Sequence, residues 1–177
     1  MIEIVKYNDD DLKDNEIDEV ITRVRAFIIS SKNNMIVGFD DREGYQLIGG
    51  YVGEREDLFE GLKKIIYNAS GIVLDQKDSI EPFYEIRHYN RDYKGSGNNR
   101  LSDLIYFCVK TDKIPNLKKL KLTPKEMIER PSLEVVRRSM FAKDLKDYID
   151  SESNQLNKVK AKELLMAFEK FKEIFKF

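Results

Sequence analysis

The chain has 177 residues, a formal net charge of −1, 41% hydrophobic residues and 36% charged residues. That length can bury a real core, and the composition is that of a globular chain rather than a disordered or disulfide-stapled one. The near-zero charge gives no basic footprint for nucleic acid, the lone cysteine excludes an internal disulfide, and no apolar run approaches the ~18 residues of a membrane span.

One histidine, His88, and one cysteine, Cys108, do not make a zinc site between them. Cys108 sits in the apolar run 104–109, where a buried, inert thiol is expected. The acidic N-terminus is unlike a signal or transit peptide, so a soluble cytoplasmic protein with no nucleic-acid or membrane partner is the expectation.

Taken in chain order, residues 1–7 alternate and predict an edge strand, and 8–14 (Asp9, Asp10, Asp11, Asp14) an acidic turn. Residues 20–30, with Val24, Phe27, Ile28 and Ile29, predict a central strand. Lys32-Asn33-Asn34 turns the chain into a strand at 35–39, and 40–44 turns it again into 45–48. Gly49, Gly50 and Gly53 then mark a loop free of side-chain bulk. Asp57 is placed to cap a helix, with Glu60 returning the hydrogen bond. Leu58, Leu62, Ile65 and Ala69 fall at helical spacing, and Gly71 ends the helix in a left-handed turn.

Residues 80–90 predict a strand with two different faces, Phe83, Glu85 and Arg87 against Tyr84, Ile86 and His88. A polar hairpin loop at 91–99 leads to a buried strand at 104–110. Thr123-Pro124-Lys125-Glu126 is a capping box with proline at the first helical position, ended by Pro131. Residues 132–148 predict a second helical stretch and 157–177 a third. The last carries Leu164, Leu165, Phe168, Phe171, Ile174 and Phe175 on one stripe. The order of elements predicts an α/β/α sandwich around a mixed sheet with extra C-terminal helices. Residues 1–150 form the expected domain, and 151–177 an amphipathic helix packed on it or at a homodimer interface.

The stretch from Gly49 to Val73 resembles the Nudix box of the MutT-like proteins. That pattern is a glycine, five residues, a glutamate, seven residues, then Arg-Glu-hydrophobic-any-Glu-Glu-any-Gly-hydrophobic. Gly50 and Glu56 match its first glycine and first glutamate, Lys64 stands at the arginine, Ile66 at the hydrophobic position, and Gly71 with Ile72 closes it without a gap. The other three glutamates are replaced by Ile65, Asn68 and Ala69. In active relatives those positions hold divalent cations against a substrate diphosphate. The resemblance implies a Nudix-like α/β/α fold over roughly residues 20–148. It also implies that Glu56 pairs with Lys64.

Mg²⁺ and Mn²⁺ take hard oxygen ligands, mostly carboxylates, to neutralise phosphate and activate water. Isoleucine and alanine offer no ligand atom and asparagine only a neutral carbonyl, so no metal cofactor is expected at these positions. Ile65 and Ala69 instead join Leu58, Phe59, Leu62 and Ile66 in an apolar arc of roughly 120°.

Three readings follow. In the first, the domain has lost metal-dependent hydrolysis and binds a nucleotide-like or diphosphate-containing ligand, or a protein partner. The candidate ligand residues are Gly50, Tyr84, Arg87 and His88, because aromatic faces stack on bases and arginine holds phosphate. In the second, it is an active Mg²⁺- or Mn²⁺-dependent pyrophosphohydrolase on a nucleoside diphosphate derivative, with carboxylates relocated to Glu56, Glu60, Glu126 or Glu85. In the third, it is an interaction module using the Ile65/Ala69 surface or the C-terminal aromatic helix.

Overall fold

The structure is a computed structural model that describes residues 2–176. Its strands are β1 (Glu3–Tyr7), β2 (Glu19–Ile29), β3 (Asn34–Asp40), β4 (Gly44–Gln46), β5 (Ile48–Val52), β6 (Ser79–Asn90), β7 (Arg100–Lys110) and β8 (Ser132–Arg137). Its helices are α1 (Leu58–Ser70), α2 (Pro124–Glu129), α3 (Arg138–Ser151) and α4 (Gln155–Phe175). The strands form one mixed sheet in the order β1-β6-β7-β2-β3-β4, with β5 added to β2 and β8 to β3. β1 runs parallel to β6 and β2 parallel to β7, while the remaining pairs are antiparallel.

β2 sets the two layers, because successive side chains on a strand point to opposite faces. Val24, Ala26 and Ile28 meet Leu62 and Ile66 of α1, together with Ile105, Phe107 and Val109 of β7. Phe27 and Ile29 face the other way, toward Phe141 and Leu145 of α3 and Leu164, Ala167, Phe168 and Phe171 of α4. The Phe27 and Phe171 rings stack at 4.8 Å with 7° between their planes, at the centre of that second layer. This is the expected sandwich with helices on both faces of a mixed sheet. No helix among the described residues is long and apolar enough to cross a membrane.

Two predicted elements differ. Residues 132–137 are not helical but form the edge strand β8, in register with β3 from Asn34↔Arg137 to Phe39↔Ser132. Val135 and Val136 are strand formers, and the long-range partner that decides the matter is the open edge of β3. The helix expected there begins only at Arg138.

Gly49 and Gly50 lie inside strand β5 rather than in a loop. Gly49 sits opposite Arg25 on β2 and Gly50 opposite Val24. Each is glycine for a different neighbour. A Cβ on Gly49 would meet the Val24 carbonyl oxygen at 2.3 Å and the Arg25 Cγ at 3.0 Å, whereas one on Gly50 would meet the Ile65 Cδ1 at 3.3 Å. The first contact is with rigid backbone, and the second with the end of a flexible side chain. Gly49→Ala should therefore lower the unfolding free energy by about 2–4 kcal/mol in urea titrations, and Gly50→Ala by about 1 kcal/mol or less. Equal costs would contradict this packing.

Candidate functional site

The loop from Gly53 to Asp57 turns the end of β5 into α1. Asp57 Oδ1 accepts from the Phe59 and Glu60 amides, each at 3.0 Å, and satisfies two donors of the first turn. The helix stops at Gly71, whose φ of 72° lies in the left-handed region and whose N–H donates to the Tyr67 carbonyl. Glu60 does not return the capping bond: its carboxylate takes Lys63 Nζ at 2.7 Å. Glu56 tightens the loop instead, accepting from the Gly53 N–H at 3.3 Å and lying 3.6 Å from Lys64 Nζ.

The carboxylates of the hydrolase reading are dispersed. Glu56 precedes the Asp57 cap, so it and Glu60 do not stand one helical turn apart on a common face. Glu126 caps α2: its Oε2 accepts from the Thr123 N–H at 2.7 Å, and that bond lowers its pKa. Glu85 is buried and bound by the Arg87 guanidinium. Among the described residues no group of three or more His, Cys, Asp or Glu is arranged to hold a metal ion. At the box positions Ile65 closes over Gly50, and Arg130 reaches from beyond α2 to donate to the Asn68 carbonyl in the last turn of α1. These residues do not fit a divalent cation.

The candidate ligand residues on β6 are divided between the faces of the sheet. Tyr84 is buried in the α4 layer, its ring 5.8 Å from that of Tyr106. His88 is exposed and stacks on Tyr7 at 4.7 Å. Arg87 is held by Glu85. Gly50 belongs to the α1 side, against Ile65. The four are not brought to one cavity. Ile65 and Ala69 are half-buried, and the large exposed apolar side chains of α4 are Leu156, Val159 and Met166.

A different constellation occupies the α4 face. Arg23 and Arg25 of β2, Glu43, Tyr106 of β7, and Lys160 and Glu163 of α4 line a cavity of about 230 Å³. Both arginines are half-buried. Neither guanidinium forms an ion pair with a described carboxylate, and Arg23 lies 5.9 Å from the Tyr51 ring centroid. Lys160 is partly neutralised by Glu43 at 3.6 Å. The Tyr106 hydroxyl donates to Glu163 Oε1 at 3.2 Å. Burial first, and the Glu163 charge second, hold its pKa well above the ordinary phenol range.

Larger clefts lie elsewhere, and several of their charges are engaged. In the cleft of about 650 Å³ at the other end of β2, Lys113 is held by Asp75 and Asp78, and Asp112 by Ser31. Along α4, Lys170 and Lys172 pair with Glu173 and Glu169. Half-buried guanidinium groups with no carboxylate partner among the described residues distinguish the smaller cavity, since ions held out of water seek a partner. The sequence carried a signal for it. Arg23 and Arg25 alternate in phase with Phe27, and so share its inward face.

No protein-family model matches the sequence, and no curated protein matches it either. Solved structures do match in fold. The MutT protein from Methanosarcina mazei Go1 superposes with a TM-score of 0.52 at 17% identity, covering 90% of this chain and 97% of that one. The mutator MutT protein from Bacillus halodurans gives 0.47 at 14% identity, covering 82% of each chain. The fold of this protein is Nudix-like.

One half-buried acid on the α1 face, Asp103, lies outside both constellations. Asp103 stands opposite Arg87 on β6 and Thr22 on β2, and its Oδ1 has no hydrogen-bond partner among the described residues. Burial first, and the neighbouring Glu85 second, push its pKa up to about 6, with Arg87 opposing them. Between its ordinary value of 3.8 and about 6 the folded protein holds a proton that the unfolded chain releases. The associated stability is complete below that window and is lost as pH rises through it. Asp103→Asn should flatten this decline and raise the urea midpoint at pH 8 relative to wild type. A variant that loses stability equally at pH 5 and pH 8 would contradict the assignment.

Proposed function

We propose that this protein is a Nudix-fold binding domain that has lost metal-dependent hydrolysis and takes a nucleotide- or diphosphate-containing ligand between β2 and α4. The observation that carries this reading is the pair of unpaired arginines, Arg23 and Arg25, in a cavity walled by Tyr106 and by residues of α4. Arginine meets phosphate through a planar fork of donors, and partial burial strengthens that interaction over its value in water. The volume is below the ~300 Å³ at which sites for drug-sized ligands begin, so it suits one end of a nucleotide and leaves the rest at the mouth.

The α1 side supports the loss of hydrolysis. Ile65 and Ala69 supply no oxygen, Asn68 only an amide, and Glu56, Glu60, Glu85 and Glu126 each have a separate local partner. A cytoplasmic setting suits a chain whose lone thiol, Cys108, is buried and pushed up to about 12 by that burial.

Calorimetric titration with nucleoside diphosphates in chelator should show binding that Arg25→Ala weakens at least tenfold and Arg23→Ala severalfold. The same compounds with Mg²⁺ or Mn²⁺ should release no phosphate or nucleoside monophosphate. Turnover abolished by Glu56→Gln would overturn the loss of hydrolysis. Binding indifferent to both arginine variants would overturn the site.

A further inference from the structure

We infer that Tyr51 is the base-stacking residue of this protein: the nucleotide whose phosphates enter the Arg23/Arg25 cavity lays its base on the Tyr51 ring just outside it. The inference rests on the binding reading above and specifies how the part of the ligand left at the mouth is held.

The position of Tyr51 follows from strand register. It stands on β5 directly opposite Arg23 on β2, and Gly49 stands opposite Arg25. Alternation puts Tyr51, Gly49 and both arginines on one face of the sheet, the face on which Phe27 meets α4. Residues two apart on a strand are separated by about 7 Å, so the Tyr51 ring lies one such step beyond the level of Arg25. Gly49 has no side chain and is exposed, so nothing rises from β5 between the cavity and the ring. A planar group can lie along that floor.

Tyr51 is also an aromatic that the fold leaves unused. It is 69% exposed, more than Tyr7 at 46% or Phe59 at 39%. Tyr7 stacks on His88 and Phe59 meets Phe107 edge to face, whereas Tyr51 has no ring partner among the described residues. The Arg23 guanidinium lies 5.9 Å from its centroid. A guanidinium donates from its edge and stacks through its plane, so Arg23 can hold phosphate and border the stacked base at once.

A base offers a π-face whatever its hydrogen-bonding edge, and stacking on an aromatic ring tolerates any of them. The base stays outside the cavity, so the small volume sets no limit on it. The site therefore takes nucleoside diphosphates broadly, ordered by stacking strength, and binds a diphosphate ester without a base more weakly.

Calorimetry in chelator compares ADP with methyl diphosphate, which has the same diphosphate ester and no base, on wild type, Tyr51→Ala and Tyr51→Phe. Tyr51→Ala should weaken ADP by about fivefold or more and leave methyl diphosphate within about twofold, while Tyr51→Phe keeps the ADP affinity, because the ring and not the hydroxyl does the stacking. In NMR spectra, ADP but not methyl diphosphate should move the Tyr51 ring resonances upfield through the ring current of the base. An ADP affinity unchanged in Tyr51→Ala, or an equal loss for both compounds, would overturn the stacking assignment and leave the arginine cavity standing. Where methyl diphosphate binds too weakly to titrate, the upfield shift with ADP decides the assignment, and its absence overturns it. Failure of both compounds to bind wild type would overturn the cavity reading itself, and this inference with it.

Discussion

The close approach of β5 to β2 at Gly49 is the constraint on which the rest of the molecule depends. With a Cβ excluded by the Val24 carbonyl at 2.3 Å, the two strands can pair through Thr22↔Val52, Val24↔Gly50 and Ala26↔Ile48. That pairing carries the chain straight into the Gly53 loop and so places α1 over Val24 and Ala26. On the opposite face it makes room for the Arg25 stem. One backbone contact thus positions both α1 and the Arg23/Arg25 cavity, on opposite sides of the same strand.

The two faces have divergent chemistry. On the α1 side Ile65 and Ala69 are half-buried packing residues, and Ile65 fills the space above Gly50. On the α4 side, two guanidinium groups are held half-buried without an ion pair to a described carboxylate, although the surface elsewhere carries ion pairs such as Lys63–Glu60 and Lys143–Asp147. Exposed pairs of that kind contribute little, because solvent and salt screen them. That contrast is the support for the proposed binding role of the α4 face.

Legibility in the sequence followed the range of the interactions. The Asp57 cap, the Gly71 stop, the Thr123 capping box and the central strand at β2 are decided within a few residues, and all were readable. Residues 132–137 were not, because Leu133, Val135 and Val136 take strand geometry only where β3 offers an edge nearly a hundred positions earlier in the chain. Gly49 and Gly50 read as loop glycines for a similar reason: their partners on β2 and α1 are invisible to local pattern. The arginine cavity draws on β2, β7 and α4, so only the phase of Arg23 and Arg25 with Phe27 hinted at it. Tyr84, Arg87 and His88 are adjacent in sequence but divided by the alternation of β6, which places Arg87 on the opposite face from the other two.

The central claim is that the box helix presents packing rather than a metal site, and electron paramagnetic resonance of Mn²⁺ tests it most directly. The signal of free aqueous Mn²⁺ should keep its full amplitude when an equimolar amount of this protein is added in the absence of nucleotide. Loss of one equivalent of that signal in the protein alone, restored by Glu56→Gln, would contradict the account.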